Sequence, residues 1–213
     1  MKYKQIIWDF NGTILDDVAP AFEATNLLLA RYGKPQLVDV DEYRAHFGFP
    51  VIDYYASIGF ERENFERYAD EWVVLYEERA PRAGLCAGCG ELLKYFKECG
   101  CAQYLLSATE REMLKRQLAP LGIEGYFDDL VGQDDTRAHG KLAAALEWSK
   151  KVKLDSALVI GDSLHDAEVA NALGTDCVLL ACGHQSRERL ETTGFRVFDC
   201  PAALLCAAQE GML

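Results

Sequence analysis

Two short stretches of this chain place carboxylates where they can do chemistry. Asp9-Phe10-Asn11-Gly12-Thr13 follows the apolar run Ile6-Ile7-Trp8, and Gly161-Asp162-Ser163-Leu164-His165-Asp166 follows Leu158-Val159-Ile160. A carboxylate at the C-terminal tip of a buried strand faces the crevice where open α/β sheets bind ligands. There it can serve as a nucleophile or as a metal ligand. Asp162 and Asp166, four apart across a strand end and a helix start, can meet one ion. Hard oxygen donors suit Mg²⁺, so His165 between them reads as a rim or capping residue. Ser107-Ala108-Thr109 offers hydroxyls and following amides to a phosphate. Lys141, in Gly140-Lys141-Leu142, offers a positive charge. Each feature has an ordinary counterpart. Asn-Gly favours turns, Thr109 with Glu112 fits a helix capping box, and an exposed Lys is common.

These residues need strands to carry them. Strand signals fall at Ile6–Asp9, Ala102–Ser107, Leu130–Val131, Ser156–Gly161, Cys177–Leu180 and Phe195–Phe198. Helical spacing falls between them, at Glu91–Glu98, Arg111–Leu118, Lys141–Lys151 and Asp166–Leu173. Alternation of this kind predicts an α/β fold with a doubly wound parallel sheet. Residues 16–83 break the alternation. Ala19–Arg31, Val38–His46, Val51–Ser57 and Asn64–Arg79 all favour helix, with no strong strand among them. The expected organisation is a core of residues 1–15 and 84–213 with an inserted α-helical cap domain at 16–83.

The 213 residues carry 22 Lys and Arg against 34 Asp and Glu, a net charge of −12. Such a chain is a poor partner for nucleic acid or an anionic membrane, so an anionic substrate requires a local positive centre. The start of the chain lacks a signal-like apolar region and no apolar run approaches a membrane span, which predicts a cytoplasmic protein. Of the eight cysteines, Cys86-Ala87-Gly88-Cys89 and Cys99-Gly100-Cys101 invite a zinc or redox reading. A second Cys-x-x-Cys or spaced His ligands are missing, and reduced structural thiols are the expectation.

The ordered set of motifs resembles the haloacid dehalogenase-like hydrolases, in the branch similar to phosphoglycolate phosphatase, and it spans the predicted core. The resemblance implies a Rossmann-like core with a helical cap. It implies that Asp9 attacks phosphorus and becomes an aspartyl phosphate. Mg²⁺ would then be held by Asp9, the backbone carbonyl of Asn11, Asp162 and Asp166. Phosphate would be held by Asn11, Gly12, Ser107, Ala108 and Lys141, with Asp9, Asn11 and Lys141 as the catalytic positions. The implied partner is a small phosphorylated metabolite.

The family's first motif usually reads Asp-x-Asp-Gly-Thr, and here Asn11 replaces the second Asp. That Asp protonates the leaving alcohol and later deprotonates the attacking water. An amide cannot do this, and loss of such a group typically costs about 10²–10⁴-fold in rate. Several routes remain open: a substrate with a good leaving group, another acid from Asp16, Asp17, the cap or the substrate, or a silent relative that only binds phosphorylated ligands. Lys34, the sole Lys in the cap, sits in a Gly-Lys-Pro turn and gives little support to phosphonate hydrolysis. In the cap, His46-Phe47-Gly48-Phe49-Pro50 is similar to the cap loop of phosphoglycolate phosphatase-like members. Arg44, His46 and Gly48 are therefore the candidate substrate contacts, against a helix-ending turn with a surface Arg.

Overall fold

The computed structural model describes residues 2–133 and 140–213. Six strands form one sheet: β1 (Gln5–Trp8), β2 (Ala102–Glu110), β3 (Asp129–Gln133), β4 (Ala157–Gly161), β5 (Asp176–Leu180) and β6 (Arg196–Phe198). Their order is β3-β2-β1-β4-β5-β6, and every pairing is parallel. The order reverses at β1, so β1 and β4 flank the switch point where ligands bind in such sheets. Helices cover both faces, which explains why β4 reads as an unbroken apolar run and is buried throughout. Alternate residues nonetheless part to opposite sides. Ile6, Trp8, Leu158 and Ile160 pack with Leu92, Phe96 and Leu204. Ile7, Val159, Cys177 and Leu179 pack with Ala145, Trp148, Ala170 and Leu190.

The helical block comes first in the chain after β1. It holds α1 (Val18–Arg31), α2 (Val40–His46), α3 (Val51–Ser57) and α4 (Phe65–Glu77). The core adds α5 (Cys89–Glu98), α6 (Arg111–Leu118), α7 (Leu142–Ser149), α8 (Leu164–Leu173), α9 (Arg187–Glu191) and α10 (Pro201–Gln209). The block has its own hydrophobic cluster, rich in rings: Tyr43, Tyr54, Tyr55, Phe60, Phe65, Tyr68 and Tyr76 around Leu28 and Leu29. Its two connections to the core run side by side. Leu15 bridges Leu85 antiparallel, and the Asp16 amide donates to the Gly84 carbonyl at 2.9 Å.

Some boundaries differ from the sequence reading. α2 starts at Val40 because Asp39 caps it, accepting from the Glu42 amide at 2.8 Å. β2 runs on to Glu110, with a register break against β3 between Leu106 and Glu110 that re-aims Ser107, Ala108 and Thr109. The cap of α6 is consequently Glu110, which accepts from the Glu112 and Met113 amides, and not Thr109. α9 and α10 carry no expectation from the sequence. α10 opens on Pro201, a residue suited to a first helical turn. The eight cysteines are free thiols.

Candidate active site

The cleft lies at the C-terminal ends of β1, β2 and β4, between the core and the helical block. Asp9 leaves the tip of β1. Asp162 follows β4, and Asp166 sits in the first turn of α8. One oxygen from each of these three carboxylates lies within 4.8 Å of the others. Lys141, at the start of α7, is buried among them. Its ammonium pairs with Asp9 Oδ1, lies 2.5 Å from Asp166 Oδ1 and donates to the Leu106 carbonyl at 3.1 Å. His165 fixes the head of that helix by accepting from the Lys141 amide at 2.8 Å. Asp166 Oδ2 closes the capping box of α8, taking Ser163 Oγ at 2.7 Å and the Asp162 and Ser163 amides.

Burial pushes the Asp9 carboxyl up to about 6, against the lowering pull of Lys141. Asp162 is driven well above the usual carboxylate range, by burial first and by Asp9 and Asp166 as well, despite nearby His184. Asp166, though buried, is held below its ordinary value by Lys141. Lys141 thus serves Asp9 and Asp166, while Asp162 Oδ2 accepts from the His184 amide and Thr13 reaches its Oδ1. That deficit of positive charge, on hard oxygen donors, fits a divalent cation.

The close approach needs three glycines, among them Gly183, where a Cβ would strike Asp162 Oδ2. Gly12 has φ +75°, and a Cβ there would strike Asp162 Oδ2 and stand 2.6 Å from the His184 ring. A Cβ on Gly161 would collide with the Asp166 carboxylate.

Asn11 is held on all sides. Its Nδ2 donates to Asp17 Oδ2 at 2.8 Å and to the Tyr76 hydroxyl at 3.1 Å, and its Oδ1 accepts from Thr109 Oγ1 at 2.7 Å. Asp17 is itself buried and also accepts from the Gly12 amide at 2.8 Å and the Tyr76 hydroxyl at 2.6 Å. His184 Nε2 stands 3.2 Å from Asp17 Oδ1, and its Nδ1 stands 2.9 Å from the Tyr43 hydroxyl. Burial opposes both charges of this pair, yet their attraction prevails. Asp17 falls below its ordinary value, and His184 rises to about 9. A carboxylate at position 11 would face Asp17 directly, so Asn11 and Asp17 form a matched pair.

The remaining expected site residues divide. Ser107 and Ala108 line the cleft. Ser107 Oγ accepts from the Thr109 amide at 3.0 Å, which leaves its own hydrogen to give to a phosphate oxygen. Gly12 does not offer its amide to a phosphate, because Asp17 and the Leu15 carbonyl already take it. The side-chain amide of Asn11 is likewise bonded to Asp17 and Tyr76. Arg44, His46 and Gly48 are not brought into the cleft. Arg44 donates to the carbonyls of Gly183 and Cys182 at 2.8 Å each, His46 Nδ1 sits 3.1 Å from Ser57 Oγ, and Gly48 faces Arg189 and Gln185. His184, Tyr43 and Tyr76 were not singled out from the sequence. For His184 the signal existed: it lies in the loop that follows β5, on the ligand-binding side of the sheet.

A parallel sheet with a carboxylate cluster at its switch point, one buried lysine in that cluster and a helical block beside it is the arrangement that the motif resemblance implies. The chain belongs to the haloacid dehalogenase-like hydrolases, whose family model matches residues 6–180. Among curated relatives, a phosphoglycolate phosphatase of Pseudomonas syringae pv. tomato is 27% identical over 192 residues, covering 85% of this chain and 70% of the relative. A 5'-nucleotidase of Pseudomonas aeruginosa is 26% identical over 201 residues, 89% of this chain and 88% of the relative. Among solved structures, a haloacid dehalogenase-like family hydrolase from Streptococcus pneumoniae superposes with a TM-score of 0.84 at 18% identity, covering 98% of this chain and 99% of that one. A hydrolase from Pseudomonas syringae gives 0.75 at 22% identity, with 97% and 98% covered.

Proposed function

We propose that the protein is a Mg²⁺-dependent phosphatase of a small phosphorylated metabolite, working through Asp9, with residues 16–83 acting as a cap. The observation that carries this reading is the carboxylate cluster of Asp9, Asp162 and Asp166 with Lys141 at its centre. The phosphatase relatives support it. Asp9, Asp162, Asp166 and the Asn11 carbonyl would hold the cation, which supplies the charge neutralisation that lets a carboxylate approach a phosphate.

The chain's own residues account for the rest. At neutral pH Asp9 is ionised and is oriented by Lys141. Ser107 donates to a phosphoryl oxygen, with the Ala108 backbone beside it. Asp9 attacks phosphorus, the ester P–O bond breaks, and the leaving group departs with the electron pair. Asn11 cannot hand it a proton. The first step therefore favours substrates whose leaving group is stable as an anion, and water must then attack phospho-Asp9 without the usual base.

Asp9→Asn should abolish hydrolysis across a phosphate panel while leaving the thermal transition in place, and EDTA should do the same reversibly. Turnover that survives either treatment would overturn the reading. The fully bonded amide of Asn11 favours one second reading, a protein that binds phosphorylated ligands without turning them over. It calls for ligand-dependent thermal stabilisation with no hydrolysis even of acetyl phosphate.

A further inference from the structure

The wall of the cleft opposite the carboxylates is made of rings and aliphatic groups. Phe47, Phe49, Val51, Trp72, Val73 and Met113 line it, with the ring bodies of Tyr43 and Tyr76. The polar tips on this wall are already bonded within the protein. Trp72 Nε1 donates to Thr25 Oγ1 at 3.1 Å, the Tyr43 hydroxyl meets His184, and the Tyr76 hydroxyl donates to Asp17. Trp72 and Tyr76 stack on each other with centroids 4.9 Å apart and planes 8° from parallel, which fixes both rings in the lining.

The cations are committed as well. Among the described residues lining the cleft, Lys141 is shared by Asp9 and Asp166, and His184 is paired with Asp17. Arg44 is spent on core carbonyls, and Arg189 Nη1 donates to the carbonyls of Arg44 and Phe47, at 2.6 Å each. Among the described residues no uncommitted cation lines the cleft to meet a carboxylate or second phosphate on the substrate, and burying such a group unpaired is costly. The whole cleft, phosphoryl site included, measures about 140 Å³, so only a compact substrate fits it.

A second observation is independent of this wall. Asn11 stands where the resemblance puts a proton donor for the leaving group. A phenol leaves as a stabilised anion and needs that proton far less than an aliphatic alcohol does.

We propose, resting on the phosphatase reading above, that the substrate is a compact aryl phosphate: a phosphate ester of a phenol with no second anionic group. The Asp9 oxygen bonds to phosphorus as the P–O(aryl) bond breaks, and the aryloxide leaves with the electron pair and takes its proton from solvent. Water then attacks the phosphorus of phospho-Asp9 and loses a proton to solvent; the P–O bond to Asp9 breaks, its electron pair returns to the carboxylate, and inorganic phosphate leaves.

The test compares kcat/KM for phenyl phosphate, 4-carboxyphenyl phosphate, phosphoglycolate and acetyl phosphate with Mg²⁺ present. Phenyl phosphate should exceed phosphoglycolate by about 100-fold. It should exceed 4-carboxyphenyl phosphate by about 10-fold, although the added carboxylate makes a better leaving group. Trp72→Ala should lower the ratio of phenyl phosphate to acetyl phosphate by about 10-fold; a ratio within one variant does not depend on how much of it folds. Acetyl phosphate, a good leaving group without a ring, separates the two claims. If it is hydrolysed through Asp9 while phosphoglycolate matches phenyl phosphate, or the ratio ignores Trp72→Ala, the aryl proposal is wrong and the phosphatase reading stands. Silence on all four substrates overturns the phosphatase reading and the aryl proposal with it.

Discussion

The two faces of the cleft are built on opposite plans. The core face is charged and over-determined: Asp9, Lys141 and the Asp162/Asp166 pair come from three separate chain segments, each pinned by buried hydrogen bonds or ion pairs. The cap face offers rings whose polar atoms are already satisfied. On the proposed reading, the first face carries the reaction and the second selects the substrate. The two meet at Asn11, which belongs to the core loop yet bonds Tyr76 of the cap.

The most severe way to break the core face is Asp9→Asn. Removing a nucleophile that acts in concert with its neighbours should lower kcat by about 10³-fold or more, measured on acetyl phosphate. The same change on the cap face, a single ring truncated, should shift ratios between substrates instead.

Next in size is the junction. Asn11→Asp alone would set two carboxylates against each other at the present 2.8 Å contact, and such pairs share a proton. The swap Asn11→Asp with Asp17→Asn keeps one carboxylate and one amide. It should raise turnover of alkyl phosphates by about 10²–10⁴-fold over the parent and flatten the dependence of rate on leaving-group pKa. The single variant should gain less. If the swap gains nothing on alkyl phosphates, another residue already supplies the proton.

A smaller effect belongs to the clasp between the faces. Arg189 of α9 donates to the carbonyls of Arg44 and Phe47 in the cap, and Arg44 donates back to Cys182 and Gly183 in the core. We expect the cap to open and close about its paired connections. Arg189→Ala should cost about 1–2 kcal/mol of stability by thermal unfolding and change kcat and KM together by a few-fold. Unchanged kinetics would mean that the cap does not move during turnover.

The comparison of faces also explains what the sequence could reveal. Strands buried on both sides appear as apolar runs and mark the residues at their tips, so Asp9, Ser107 and Asp162 stood out by position and Asp166 by its spacing from Asp162; Lys141, at a helix start, stood out only through the motif resemblance. The Asn11–Asp17 pair was half legible. Both residues were visible, but their 2.8 Å contact depends on the turn at Gly12. The cap was legible only as helices. Arg44 looked like a substrate ligand because an Arg near a Gly-x-Pro turn is free in one dimension. In three, the loop after β5 presents carbonyls that consume it. The lining rings Phe47, Trp72 and Tyr76 sit at ordinary helix and loop positions, and no local spacing separates a ring in the cap's core from a ring facing the cleft.

The central claim is that Asp9 carries the phosphoryl group and that Asn11 slows its release. The direct measurement is rapid-quench mixing of enzyme, Mg²⁺ and a good-leaving-group phosphate, followed by mass analysis of the peptide containing Asp9. The account predicts a burst of leaving group stoichiometric with enzyme, and a phosphoryl adduct on Asp9 that persists through turnover and vanishes in Asp9→Asn. Steady hydrolysis with no burst and no adduct on Asp9 would contradict it.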